Sequence, residues 1–216
     1  MKRVEVYFDY ISGYAYFAWL RLRRLCRERE VELVAHPVLF AGLLNHWGQL
    51  GPAEIPAKRA FVYADGLRQA ALEGVDFACP KYHPFNPLPA LRASLREVAG
   101  ERQLEVIDAL WDAGWGRGGD YGDPAELAAA LDAAGLEGAA ILEKTNDPAV
   151  KEALKASTEA AIARGVFGVP TMVVEDELVW GSDRIHHVEA ILEGRNLLDR
   201  ERLAEILARP RRAERR

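Results

Sequence analysis

The sequence predicts an α/β protein in which a βαβ unit and a ββα unit flank a long helical insertion. Three observations carry this. Strand, helix and strand signals follow one another within residues 4–37. Helical periodicity then runs without a strand signal to about Arg164. Beyond it, two short apolar runs separated by Glu175-Asp176-Glu177 form a hairpin that leads into closing helices.

Val4 and Val6 alternate with polar neighbours, as in a strand with one wet face. Ala15, Ala18, Trp19, Leu22, Leu25 and Cys26 then recur at helical spacing, with Arg21, Arg24 and Arg27 elsewhere on the wheel. Val31–Ala35 alternates again and stops at His36-Pro37, giving a second strand parallel to the first through a right-handed crossover. In the insertion, Ala57, Ala60, Phe61, Ala64, Leu67 and Ala71 form one apolar stripe, opened by Pro56. A Pro-rich loop follows, with Pro80, Pro84, Pro87 and Pro89. Further helices are predicted near Leu91–Val98, Leu104–Trp111, Ala125–Ala134 and Val150–Ala163, broken by a flexible loop with Gly116, Gly118, Gly119 and Gly122. Phe167–Val174 leads into the third strand and Leu178-Val179-Trp180 is its partner. Helices near Asp183–Leu192 and Arg200–Leu207 close the chain.

With 216 residues, half of them hydrophobic and 28% charged, the chain can bury a full core. A net charge of −5 gives no electrostatic reason to expect nucleic acid. The one basic cluster, Arg209–Arg216, reads as a frayed, solvated tail. No apolar run approaches the roughly 18–20 residues that span a bilayer. The first strand begins too early to leave room for a signal peptide, so a cytoplasmic location is expected. Cys26 and Cys79 form no CxxC: Cys26 reads as a buried inert thiol and Cys79, before Pro80, as the more reactive one, with nothing nearby that marks it as a nucleophile. The five histidines lack metal-site spacing, so no metal is expected.

Ser12 lies where the first strand hands over to the first helix. It has the right side chain for an N-cap, and the unpaired amides of the first helical turn make an anion site there. Taken alone, capping explains it fully.

Five segments in this order carry a resemblance. They are Phe8–Tyr16, Pro56-Ala57-Lys58, Asn86–Arg92, Phe167–Thr171 and Trp180–Arg184. Together they resemble the 2-hydroxychromene-2-carboxylate isomerases and kappa-class glutathione transferases, a DsbA-like branch of the thioredoxin fold. The resemblance implies a thioredoxin-like domain made of residues 1–38 and 165–208, an inserted helical domain at 39–164, and a disordered basic tail at 209–216. It implies glutathione as cofactor, a small aromatic substrate, and a homodimer as the family's common state. Ser12 matches the position where relatives with disulfide chemistry carry their first Cys, and would donate to the sulfur of glutathione. Pro170 would be the family's cis-proline, holding Val169 where its backbone pairs with the cysteinyl part. Gly181-Ser182-Asp183 would hold the γ-glutamyl end; read locally, they are equally a hairpin exit and an ordinary N-cap. Lys58 aligns with a lysine near the glycyl carboxylate, and Gln49 with a frequent Asn. His83, Phe85, Asn86 and Pro87, with Trp111 and Trp115, would line the second-substrate pocket. One departure stands out: Gly13 occupies a position that is usually Pro, which loosens the loop.

The implied chemistry closes on magnitudes. A thiol of pKa near 8.5 needs roughly 2–3 kcal/mol to be held as thiolate at neutral pH. A helix start supplies about 0.3–1 kcal/mol and a hydroxyl donor about 1.5–3 kcal/mol. The resemblance implies a glutathione-dependent cis–trans isomerisation in the breakdown of naphthalene-like aromatics. The alternatives are a kappa-like transferase, a thiol–disulfide oxidoreductase, disfavoured by Ser-Gly-Tyr-Ala at 12–15, and a thiol- or peptide-binding module without turnover.

Overall fold

A computed structural model of the chain describes residues 2–195, 198–210 and 212. Four strands form one sheet in the order β2-β1-β3-β4. Strand β1 (Arg3–Phe8) pairs in parallel with β2 (Glu32–Pro37) and antiparallel with β3 (Thr171–Val174), which closes a hairpin with β4 (Glu177–Trp180). The register sets Tyr7 beside Thr171, so the chain leaving β1 and the chain entering β3 meet at the same end of the sheet. Helix α1 (Gly13–Glu28) makes the crossover from β1 to β2.

Between β2 and β3 the chain is helical. It forms α2 (Phe40–Trp47), α3 (Pro56–Glu73), α4 (Leu88–Ala93), α5 (Arg96–Ala99), α6 (Gln103–Trp111), α7 (Pro124–Ala133), α8 (Gly138–Lys144) and α9 (Pro148–Ala163). Helices α10 (Ile185–Leu192) and α11 (Arg200–Leu207) follow β4. The main core joins one face of the sheet, α1 and the insertion around Phe8, Tyr10, Trp19, Trp111 and Trp115. A smaller cluster of Tyr7, Val38, Leu43, Ala161, Val166, Val169 and Val173 fills the other face.

Several expectations need correction. Strand β1 has no wet face: Glu5 is buried, because Arg164 and His36 supply the partners a buried carboxylate requires. The stripe on α3 points outward, with Phe61 and Leu67 exposed, and the helix instead buries Gly66 and Ala70. The Leu91–Val98 helix is two, because Ser94 turns its hydroxyl back onto the Ala90 carbonyl and ends α4. Gly116 does not start a flexible loop. Helix α6 runs on through a π turn at Asp112–Gly116, and a Cβ at Gly114 would overlap the Tyr121 ring. Burial raises the pKa of both thiols, Cys26 to about 11, so Cys79 is not activated. Of the basic tail, Arg211 and residues 213–216 lie outside the described residues. No described helix is long and apolar enough to cross a membrane.

Candidate functional site

Ser12 is the N-cap of α1. Its backbone is extended (φ −102°, ψ 109°) and its Oγ accepts from the Ala15 N–H at 3.2 Å. A hydroxyl has one proton and two lone pairs. Capping uses a lone pair, which leaves the proton available to a neighbouring anion. The two readings of Ser12 are therefore compatible.

The loop that carries Ser12 is tied at every residue. Asp9 Oδ1 accepts from the Ile11 N–H at 3.0 Å and Oδ2 from the Phe40 N–H at 2.8 Å, which anchors the loop to the start of α2. The Ser12 N–H donates to the Asp9 carbonyl at 3.1 Å. Trp115 Nε1 donates to the Tyr10 carbonyl at 2.7 Å and His83 Nε2 to the Ile11 carbonyl at 2.8 Å. Burial pushes the Asp9 carboxyl up to about 7, against the two backbone donors that favour its charge. Burial also lowers the pKa of His83, opposed by the Ile11 carbonyl and aided by the Arg59 charge.

Gly13 needs no unusual φ. It is required sterically, because a Cβ there would lie 2.9 Å from the Trp115 ring. The residue that loosens the loop in sequence is the one that lets Trp115 pack against it.

Across the sheet end lies Val169-Pro170, whose peptide bond is cis. Thr171 Oγ1 closes the turn onto the Gly168 carbonyl at 2.7 Å. Neither backbone polar group of Val169 has a hydrogen-bond partner among the described residues, although the residue is buried. Both groups are therefore free to pair with another backbone. The Gly181 N–H donates to the Pro170 carbonyl at 3.0 Å, joining this turn to the next segment.

In that segment Gly181 has φ +104°, which favours glycine. Ser182 is buried, and its carbonyl receives a hydrogen bond from Arg21. Asp183 is exposed and paired with its neighbour Arg184 at 2.8 Å. Arg21 also holds Glu73 and Gln69 of α3, so one guanidinium braces α1, the insertion and the Ser182 turn. An open cavity of about 320 Å³ begins at Ser182 and Asp183 and continues past Arg21 and Arg24.

Gln49 and Lys58 flank a single 3-10 turn (Pro52–Glu54) between α2 and α3. Both are exposed, and neither side chain has a partner among the described residues. Phe85 is half-buried and stacked on Tyr121 at 4.5 Å, Asn86 Oδ1 caps the Leu88 N–H at 3.1 Å, and Pro87 is half-buried. Trp111 and Trp115 are not pocket walls. They are 1% and 0% exposed and belong to the core, where the aromatic cluster around Tyr10 fills the space a ligand would need. Sequence reasoning missed Asp9, Arg21, Tyr63 and Arg59. Asp9 had a usable signal, since it stands three residues before Ser12; the others act through folding alone. Among the described residues no group of His, Cys, Asp or Glu could hold a metal ion.

Comparison with known proteins agrees over most of the chain. The family model of the DSBA-like thioredoxin domain matches residues 3–193. The chain is 31% identical over 194 residues to a 2-hydroxychromene-2-carboxylate isomerase of Sphingobium xenophagum, covering 88% of this chain and 98% of that one. It is 28% identical over 212 residues to human glutathione S-transferase kappa 1, covering 88% and 91%. A solved 2-hydroxychromene-2-carboxylate isomerase superposes with a TM-score of 0.80 at 26% identity, covering 95% and 97%.

Proposed function

Because the chain belongs to the DSBA-like thioredoxin domain family, on the branch of the 2-hydroxychromene-2-carboxylate isomerases and kappa-class glutathione transferases, we propose that it is a glutathione-dependent cis–trans isomerase. Its substrate class is the 2-hydroxychromene-2-carboxylates formed in the breakdown of naphthalene-like aromatics. The observation that carries the reading is the free proton of the Ser12 hydroxyl at the same sheet end as the unpartnered backbone of Val169.

The residues present fit glutathione. Val169 offers one N–H and one C=O to the cysteinyl residue, in the pattern of an added strand. Asp183 is free to exchange its exposed Arg184 partner for the γ-glutamyl ammonium, since such a surface pair contributes little. Ser182 and the amides that follow it receive the γ-glutamyl carboxylate. Gln49 on the α2–α3 connection and Lys58 in the first turn of α3 stand ready for the glycyl end. When bound, glutathione supplies a sulfur nucleophile that adds reversibly to a conjugated double bond.

The chain's own part is electrostatic. Ser12 donates to the sulfur and the first turn of α1 faces it with unpaired N–H groups, which together hold the charged form near neutral pH. His83, Phe85, Asn86 and Pro87 provide the aromatic side of the site. No redox change takes place, which is why a serine serves where a cysteine would introduce disulfide chemistry.

The test is conversion of 2-hydroxychromene-2-carboxylate to trans-o-hydroxybenzylidenepyruvate, followed by absorbance with and without glutathione. Conversion that needs glutathione and falls in Ser12→Ala supports the reading. Full conversion without any thiol overturns it, and a stable thioether in place of the isomer assigns the chain to transferase chemistry.

A further inference from the structure

We infer that His83 is a positioning residue that fixes the Ile11 carbonyl and so sets the pose of Ser12, the next residue in the chain. The inference rests on the reading of Ser12 given above.

A carbonyl only accepts, so His83 Nε2, 2.8 Å from Ile11 O, carries the ring proton. Nδ1 is then an acceptor, 2.8 Å from the Tyr63 hydroxyl that donates to it. Arg59 completes the relay. It lies over the Tyr63 ring at 5.5 Å, its Nε donates to the Tyr63 hydroxyl at 3.3 Å, and its Nη2 donates to the His83 carbonyl at 3.0 Å. Trp115 and Phe85 meet the imidazole edge-on at 5.5 and 6.0 Å.

The groups facing His83 are thus Arg59 and Tyr63 from α3, Trp115 from the π turn, Phe85 from its own loop and the Ile11 carbonyl. The one charge among them is a cation, which favours neutral imidazole. With both nitrogens engaged, His83 is no free base for a thiol. It acts through the loop. No other donor among the described residues reaches the Ile11 carbonyl. With Gly13 following Ser12, no proline ring stiffens the start of α1. The insertion supplies that stiffness from outside, through His83 on the Ile11 carbonyl and Trp115 on the Tyr10 carbonyl.

The experiment compares three variants with the parent protein. His83→Phe keeps a ring and removes the donor. His83→Gln returns an amide N–H near the position of Nε2, and Tyr63→Phe removes the hydroxyl on Nδ1 while leaving the Ile11 carbonyl in place. Nitrogen-15 NMR reads the tautomer and the exchange of the Ile11 and Ser12 amides without any thiol. Turnover with glutathione and 2-hydroxychromene-2-carboxylate reads kcat and KM separately. We expect an Nε2–H tautomer in the parent protein. His83→Phe should speed exchange and lower kcat roughly tenfold with KM for glutathione little changed, and His83→Gln should recover most of both. An Nδ1–H tautomer, parental exchange and kcat in His83→Phe, or no recovery in His83→Gln overturns the inference. If His83→Phe does not fold, the tautomer and the other two variants decide. Failure of the Ser12 reading shows separately, as parental turnover in Ser12→Ala, and the exchange and tautomer results still decide whether His83 holds the loop.

Discussion

Replacing Ser12 removes two things at once, and two substitutions separate them. Ser12→Ala loses the cap on the Ala15 N–H, at a cost of about 1 kcal/mol in stability. Ser12→Gly loses only a few tenths of a kcal/mol as a cap, because glycine is itself a tolerated N-cap. Both lose the hydroxyl proton equally. If that proton stabilises a bound sulfur anion by about 1.5–3 kcal/mol, both raise the thiol pKa by roughly one to two units. At neutral pH both should then lower kcat/KM by roughly five- to fiftyfold, while their denaturation midpoints differ. Urea denaturation gives the stabilities. The ultraviolet absorbance of the thiolate, titrated in the glutathione complex, gives the pKa. Two proteins of different stability with the same raised pKa and the same loss of rate would agree with this reasoning. A Ser12→Gly protein with parental thiol pKa and rate would refute it and leave Ser12 as a cap alone.

Other consequences can be checked independently. The Asp9 carboxyl, held near 7 in the fold against about 3.9 unfolded, is favoured in its neutral form. Its contribution to stability is complete below about pH 4 and is lost as pH rises toward 7, on the order of 4 kcal/mol in all. Urea titrations should show that Asp9→Asn flattens this part of the pH dependence; an unchanged slope would count against it. Gly13→Ala should cost about 1–3 kcal/mol by driving a Cβ into the Trp115 ring, and Gly13→Ala with Trp115→Phe should recover part of it. Arg21→Ala should cost about 1–3 kcal/mol and raise KM for glutathione, since it frees the Ser182 turn. Thermal melts and saturation curves would show whether both effects appear.

The sheet and the first crossover were legible because their signals are local. Val4–Val6 and Val31–Ala35 alternate, and Ala15–Cys26 has one dominant helical face. What escaped was set by partners far away in the chain. Glu5 looks like a solvent residue until Arg164 is brought beside it, 159 positions later. The outward apolar stripe of α3 obeys the periodicity rule and breaks the burial rule, because Gly66 is the close-approach point, where Phe77 leaves no room for a Cβ. Ser12, Val169 and Ser182 could be named because each sits in a segment with its own recognisable pattern. Asp9 was read as part of such a segment but not as a clamp, since its two backbone partners become neighbours only once α2 docks.

The insertion reaches the loop that carries Ser12 through Trp115 and His83, and residues 83–87 border the space proposed for the aromatic substrate. On the proposed function, recognition of the substrate and reactivity of the sulfur share the wall that residues 83–87 make. A change that reshapes the wall for a new aromatic also moves the Ile11 carbonyl and, with it, the hydroxyl one residue on. On that reading, variants chosen for a different aromatic should be found with a different thiol acidity as well.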